Sequence, residues 1–362
     1  MENKKSDGTP QYIRVREALR ADITHGRYPI GGLIPREEDI AAMYQVSRVT
    51  VRKALDDLKR EKLITSKKRF GTVVTGSAGK TRQRRKNIIG VITPNMYQTM
   101  YAGILHTLES TLHKSGIDLI VHNINLSPET ERAGINALLK RGVDGIVHIW
   151  DKKSEANIER VRHVAGQMPL IIVDHFDKSI PADFIMPDNS GSTRDAVSHL
   201  IDEGCRHIMH IRATTGLWSA DERTREFLAV TEKHGIDAAH APVIVGNYDA
   251  ATALRALTLY MKKGGTVPDG IFASCDMTAY AAYEFFSKLN IRVPDELKIV
   301  GFGNDIGMRP EHNMLSTVEH HPDAIGEAVA ERVLERIYGG KNELTVRTIP
   351  GTLIVRSSSR KT

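Results

Sequence analysis

Cysteine is nearly absent: Cys205 and Cys275 are the only two in 362 residues. They stand far apart and in no metal-ligand or redox spacing, so neither a disulfide framework nor a metal site is called for. The chain also lacks a run of eighteen apolar residues, and it lacks an apolar N-terminal segment preceded by basic residues. Neither a membrane span nor a secretory leader is therefore expected, and the cytoplasm is the expected location. No Gly-x-Gly-x-x-Gly follows the first strand-like segment of the long C-terminal region, and no phosphate loop ends in a Lys-Ser/Thr pair. His320 and His321 have no third ligand at a usable spacing, and no nucleophile turn accompanies the serines. The residues thus give no support to an enzyme or to a resident cofactor.

What is present is charge, unevenly placed. The net charge is +6, but residues 1–86 alone carry +11 (21 Lys+Arg against 10 Asp+Glu), leaving −5 for the remainder. A small basic head on a mildly acidic body points to a polyanion engaged by the head. Within the head, Ser47 to Arg60 reads as a helix with Val51, Ala54, Leu55 and Leu58 on one apolar stripe. Ser47 is a candidate N-cap. Arg48 and Arg52 then share an exposed face with Thr50 and Lys53, in the first turns, where the helix dipole disfavours cations. Such a helix suits a major groove, where phosphates and base edges are met together.

Two further helices are expected before it, Tyr12 to His25 with Gly26 as the stop, and Arg36 to Tyr44 with Pro35 at its start. Gln45-Val46-Ser47 makes the tight connection of a helix-turn-helix. Leu63–Ser66 and Thr72–Val74 flank Lys67, Lys68 and Arg69 and suggest a basic hairpin wing. Residues 76–86 are glycine-rich and then basic, and read as a linker able to run beside DNA.

From Asn87 the texture changes to short apolar runs separated by amphipathic helices. Strand candidates are 88–92, 119–121, 145–149, 170–173, 208–211, 243–245, 270–273 and 298–302. Continuous apolar strands between helices indicate parallel sheets covered on both faces. Eight or more such units over about 275 residues exceed one compact sheet, so two α/β lobes are expected. Ligands in such folds bind beyond the carboxyl ends of the strands. Candidate residues there are Asn95, Tyr97, Tyr101, Trp150, Asp151, Asp174-His175, Asp188-Asn189, Trp218 with Arg223, Asp276, and Asn304-Asp305. Aromatic rings beside carboxylates, amides and a guanidinium suit a small polyhydroxylated ligand. For Asp188 and Asp276, helix capping is the alternative reading. Arg223 lies near a helix start, where a cation is unfavourable without an anionic neighbour or ligand, and this favours a binding role.

Two resemblances follow from these segments. Residues 12–74 resemble the winged-helix domain of the GntR family of bacterial regulators, through Leu33-Ile34-Pro35-Arg36-Glu37, Ile40-Ala41, Val46 to Leu55, and Gly71-Thr72-Val73-Val74. The resemblance implies that the third helix reads the major groove and the wing reaches the minor groove. It assigns DNA contacts to Arg36, Arg48, Thr50 and Arg52; Val49 and Lys53 on the same helix, and Lys67, Lys68 and Arg69 in the wing, are expected to join them, the lysines and the wing at phosphates. Lys62 and Arg69 stand where the family usually has glycine. Residues 88–358 resemble the effector domain of LacI-type repressors, akin to periplasmic sugar-binding proteins. The matching pieces include Ile89 to Pro94, Val143 to Ile146, Asp188-Asn189, Ser219 to Arg223, Val293 to Glu296, Ile299 to Phe302 and Leu315 to Val318. The combination looks like the arabinose repressor subgroup, in which a pentose releases a dimeric repressor from operators. Cys275 stands where an asparagine is common, and Gly303 where an aspartate is common.

The expected molecule is thus α/β in class: a winged helix-turn-helix over 1–75, a linker over 76–86, and a two-lobed periplasmic-binding-protein-like domain over 87–362 with parallel sheets flanked by helices. It is expected to be a homodimeric DNA-binding transcription regulator, most simply a repressor of carbohydrate-utilisation genes. Its partners would be palindromic double-stranded operator DNA and a small sugar, with L-arabinose a candidate. The expected effector contacts are Tyr97, Tyr101, Trp150, Asp188, Trp218, Arg223, Asp276 and Asn304. An activator or corepressor-type regulator would use the same parts. A sugar-processing enzyme with an accessory head would leave the basic head unexplained.

Overall fold

The computed structural model describes residues 10–24, 27–29, 31–67, 71–75, 87–305, 314–339 and 343–360. The chain forms two compact units, residues 1–85 and 86–362. The linker expected over 76–86 lies outside the described residues, as do His25, Gly26, Lys68 and Arg69.

In the first unit, helices α1 (Gln11–Thr24), α2 (Glu37–Tyr44) and α3 (Arg48–Arg60) precede strands β1 (Ile64–Lys67) and β2 (Gly71–Val74). Val15, Leu19 and Ile23 recur at four-residue spacing on α1 and meet Ile40, Val51, Ala54, Leu55, Leu58, Ile64 and Val74 in one core. Helix α2 begins at Glu37, so Pro35 precedes the helix rather than opening it. The reason is local: Arg36 is extended, and its N–H donates to the Asp39 carboxylate at 3.2 Å, which makes it the residue before the first turn. Gln45, in the left-handed region at φ 52°, ends α2 and turns the chain into α3. Strands β1 and β2 pair antiparallel with Ile64 opposite Val74, and Leu33 bridges to Val73 beside them.

The second unit holds two six-stranded sheets. The N-lobe sheet has the order β13-β7-β6-β5-β3-β4, from β3 (Ile88–Thr93), β4 (Asp118–Asn123), β5 (Gly145–Ile149), β6 (Leu170–Val173), β7 (Asp183–Pro187) and β13 (Val346–Ile349). All its pairings are parallel. The C-lobe sheet has the order β14-β12-β11-β10-β8-β9, from β8 (Ile208–Arg212), β9 (Val243–Val245), β10 (Gly270–Ala273), β11 (Lys298–Phe302), β12 (Ser316–Glu319) and β14 (Thr352–Ile354). Only β14 runs antiparallel to its neighbour in this sheet. Strands β7, β12, β13 and β14 go beyond the eight read from sequence. β13 is an edge strand of sequence Val-Arg-Thr-Ile, exposed at three of its four residues, so it lacks the continuous apolar run by which buried strands are recognised.

Among the described residues eight α-helices cover these sheets: α4 (Thr99–His113), α5 (Pro128–Arg141), α6 (Ile158–Ala165), α7 (Asn189–Asp202), α8 (Trp218–Lys233), α9 (Ala250–Lys262), α10 (Asp276–Ser287) and α11 (Pro322–Ile337). The chain passes between lobes three times: from β7 into α7, from β12 into α11, and from β13 into β14. Helix α11 returns to pack on α4. A Cβ at Gly103 would sit 2.9 Å from Pro322, and one at Gly326 would sit 2.9 Å from the Ile104 carbonyl, so glycine at both positions permits this close approach. The buried Arg332 donates to Asp183 at 2.8 Å and ties α11 to β7. Both sheets direct their carboxyl ends toward the boundary between lobes, where the candidate ligand residues gather.

Candidate functional site

The candidate nucleic-acid interface is built on α3. The Ser47 hydroxyl accepts the Thr50 N–H at 3.2 Å and starts the helix, while the apolar stripe read from sequence is buried. Arg48 and Arg52 lean toward α2 and pair with Glu38 at 3.0 Å and Glu37 at 3.1 Å. These carboxylates supply part of the anionic surroundings that cations at a helix start require. Exposed pairs of this kind contribute little to stability, and their main effect is to orient the guanidinium groups. Val49 is 78% exposed. A protruding aliphatic side chain beside arginines suits contact with a thymine methyl in a major groove. Lys53 leans the other way, its ammonium 4.0 Å from the Tyr12 ring centroid.

The single face expected for Arg48, Thr50, Arg52 and Lys53 is therefore divided. At about 100° per residue, Lys53 is turned away from the side that carries Arg48 and Arg52. Thr50 is half-buried with its hydroxyl 2.8 Å from that of Ser47, and so acts in the cap. Arg36 is exposed just before α2. Of the wing residues, Lys67 closes β1 opposite Gly71, while Lys68 and Arg69 fall outside the described residues.

The second site lies between the lobes and centres on Arg223 of α8. This side chain is buried. Its Nε donates to Asn189 Oδ1 at 2.9 Å, its Nη1 donates to the Ser274 carbonyl at 2.8 Å, and its guanidinium carbon lies 3.9 Å from the Phe302 ring centroid. Three elements thus fix one guanidinium, and Nη2 has no hydrogen bond among the described residues. Asp174 of the N-lobe belongs to the same electrostatic cluster. It is 7% exposed, sits at φ 63° directly after β6, and its Oδ1 has no hydrogen-bond partner among the described residues. Burial pushes its carboxyl up to about 7, against the opposing pull of the Arg223 charge and with the help of Asp151.

Tyr101 from α4 and Tyr248, after β9, complete the cluster. Burial raises both hydroxyls; Asp174 adds to the effect on each, Arg223 opposes it, and Tyr248 reaches about 12. The Ser274 hydroxyl is buried here without a partner among the described residues. His320 is held well below the usual imidazole range by burial and by the Arg223 charge, so it is neutral. The cluster therefore offers hydrogen-bonding groups from both lobes around one held cation.

Other expected contacts have different surroundings. Asp188 caps α7, accepting the Gly191 N–H at 2.9 Å, and it is Asn189 that meets Arg223. Asp276 is buried and accepts from the Thr317 hydroxyl at 2.6 Å and the Asp305 N–H at 2.7 Å, so its two oxygens organise the loop after β11. Burial pushes this carboxyl up to about 6, partly offset by those hydrogen bonds. A Cβ at Gly301 would lie 2.2 Å from Asp276 Oδ1, so any side chain there would force Asp276 to shift. Asn304 accepts from Arg356 at 3.0 Å.

Trp150, expected as a ligand-stacking ring, follows β5 and lies beside His175. It is 1% exposed in the N-lobe core, with one face stacked on His175 at 4.4 Å and 5°. Trp218 of α8 packs across the boundary against this same core. Tyr97 is 86% exposed and makes no ring contact or side-chain hydrogen bond to the cluster among the described residues. Sequence reasoning included Asp174 and Asn189 among strand-end residues without choosing them. Tyr248 gave no signal, since only a three-residue strand precedes its loop.

Comparison with known proteins bears on both sites. Residues 11–74 match the family described as bacterial regulatory proteins, gntR family, and residues 197–359 match a periplasmic binding protein-like domain. The chain is 25% identical over 336 residues to an arabinose metabolism transcriptional repressor of Halalkalibacterium halodurans, covering 90% of this chain and 89% of that protein. A ribose operon repressor of the same organism is 26% identical over 335 residues, covering 89% of this chain and 96% of its relative. The solved lac repressor dimer bound to operator and the anti-inducer ONPF matches with a TM-score of 0.67 at 19% identity, over 76% of this chain and 95% of that one, a likeness of fold. Among the described residues no helix is long and apolar enough to cross a membrane. The chain is thus a DNA-binding transcriptional repressor that joins a gntR-family head to a periplasmic binding protein-like domain.

Proposed function

We propose that the effector of this repressor is a small neutral polyhydroxylated molecule, in the simplest case a monosaccharide, and that its binding between the lobes lowers operator affinity. The observation that carries this reading is the buried Asp174 oxygen without a partner in a cluster with the firmly held Arg223, the two groups coming from opposite lobes. Acceptors outnumber the one cation in the described cluster. This favours a neutral hydroxylated ligand over an anionic one, whose charge would meet that of Asp151 and, above pH ~7, that of Asp174. Tyr101 and Tyr248 add two buried hydroxyls. The relatives named for arabinose metabolism and for the ribose operon are similarly distant, so L-arabinose is one candidate among pentoses.

For release, the effector must bind more tightly to the lobe arrangement that disfavours DNA, since equal affinity for two states shifts nothing. The protein would act in the cytoplasm as a homodimer on a palindromic operator, with a head over 1–75, a linker over 76–86 and an effector body over 87–362. A dimer places two reading helices about one DNA turn apart, or a multiple of it. Calorimetry with L-arabinose, D-ribose, D-xylose, D-glucose and D-glucuronate tests the effector class. At least one neutral sugar should bind and D-glucuronate should not. No heat with any neutral sugar, or tighter binding of the uronate, overturns the reading. Light scattering with footprinting upstream of its own gene tests the assembly, and a strict monomer protecting no palindrome would exclude it.

A further inference from the structure

The N-lobe carries a cavity of about 480 Å³ that shares no lining residue with the Arg223 cluster. Its walls are Glu155 from the turn before α6, Ile158 at the start of α6, and His175 to Lys178 after β6. Trp150 covers one face of the His175 ring, with centroids 4.4 Å apart and planes 5° from parallel. The Nδ1 of that ring is buried and has no hydrogen-bond partner among the described residues. Burial pushes the imidazole down to about 4, with Asp177 opposing and His148 adding to the effect, so it is neutral. In either tautomer Nδ1 is then a donor or an acceptor without a partner, and such buried atoms are rare in folded proteins. Phe176 meets Phe184 edge-on at 5.1 Å and 71°, which fixes the second ring of the wall. At the mouth, Asp177 accepts the Ser179 N–H at 2.8 Å and faces Arg162 at 3.9 Å, while Lys178 and Glu155 are exposed. The charges there balance in number.

We propose that this cavity is a binding site for a small neutral aromatic molecule with one hydroxyl or N–H, of the phenol or indole kind, held by His175 and Phe176. The wall offers two rings and an isoleucine side chain around one unsatisfied buried polar atom. A sugar would bring several hydroxyls against that single atom, and polar groups buried unpaired are costly. An anion would gain little from a mouth of balanced charge. A planar ring with a single donor answers both features. Its face packs on the rings, and its hydroxyl or N–H donates to Nδ1 when Nε2 carries the imidazole proton. The site is independent of the monosaccharide reading, because it lies outside the Arg223 cluster.

The test uses the full-length protein and calorimetry with phenol and indole, beside toluene, which keeps the ring without the donor, and cyclohexanol, which keeps the donor without the aromatic ring. Phenol and indole should bind wild type, and phenol should bind more tightly than toluene by about 2- to 10-fold, the usual scale for one neutral hydrogen bond. Cyclohexanol should bind more weakly than phenol. His175→Phe keeps a ring in the wall and removes the nitrogen, so phenol and toluene should then bind alike, as a double-mutant cycle requires for two groups in direct contact. Ile158→Trp fills the cavity and should abolish binding of both probes. The chain has two tryptophans, so in Trp218→Phe the remaining one, Trp150, reports from behind His175, and its emission should shift as phenol binds. Thermal melts establish that each variant is folded. No binding of either probe to wild type, a phenol advantage over toluene that survives in His175→Phe, or Trp150 emission unchanged at saturating phenol would each overturn the proposal.

Discussion

Asp174 shows how a single residue can be over-determined by its surroundings. A non-glycine residue at φ 63° is strained, and a buried carboxyl oxygen without a partner is costly. Its folded pKa of about 7 lies above the unfolded value of about 3.9. The native state therefore keeps a proton that the unfolded chain has released, and stability contributed by the protonated form is lost as pH rises from about 4 to about 7. The charged or titratable groups around it are Arg223, Asp151, Tyr101 and Tyr248. Asp174→Asn cannot ionise. It should be more stable than wild type above pH ~7, on the order of a few kcal/mol, with the two proteins converging below pH ~4. Denaturant midpoints across pH decide this, and parallel curves would refute it. At the other end of the chain, Arg52 is exposed and oriented by Glu37. If it meets a guanine edge, Arg52→Ala should weaken the cognate operator by about 5- to 150-fold and random DNA far less. Anisotropy titrations on both duplexes separate base reading from phosphate contact. Arg223 was legible in the sequence because a cation near a helix start asks for an explanation. Asp174 was visible only as one polar strand end among many, since burial without a partner is a tertiary property.

Elements were legible in proportion to their periodicity. Helix α3 carries its apolar stripe at helical spacing and its cap in Ser47, and both appear in the structure as read. Helix α2 starts one residue later than expected because Asp39 takes the Arg36 N–H, a contact that proline's steric rule does not foresee. The buried strands β5, β6 and β10 were plain from continuous apolar runs, each fully buried. β13 was not, because its four residues, Val-Arg-Thr-Ile, make no continuous apolar run and it owes its place to pairing with β7. The C-lobe site depends on a tight fit between elements, β11 against the start of α10. Gly301→Ala would drive a methyl into Asp276 and disturb the hydrogen bonds to Thr317 and Asp305. A loss of about 1–3 kcal/mol is expected for such overpacking. Chemical denaturation of the full chain measures it, and a neutral result would mean that Asp276 can shift without cost.

At the scale of the molecule, the division of charge along the sequence announced the division of labour, because a polyanion partner is matched by net charge irrespective of fold. The route of the chain through the lobes was not announced. Nothing in residues 187–189, 319–322 or 349–352 marks a passage from one lobe to the other, since each is an ordinary connection whose destination is set by packing. The proposed coupling is a free energy between two sites, so it must appear from either side. A bound sugar should lower operator affinity by roughly 5- to 150-fold, and operator should lower sugar affinity by the same factor. Paired titrations check that reciprocity, and a factor seen from one side only would dismiss direct linkage.

The last two strands have a consequence for the order in which the molecule can assemble. β13 and β14 are joined by Pro350-Gly351, and each supplies an edge to a different sheet. The strands they pair with, β7 and β12, are made earlier. During synthesis, therefore, neither lobe can complete its sheet until residues 346–354 have left the ribosome, whereas every element of the winged-helix unit is available by residue 74. Domains generally form as their chain emerges. The nascent protein thus presents a basic DNA-binding surface while the part that would regulate it is still open at two edges.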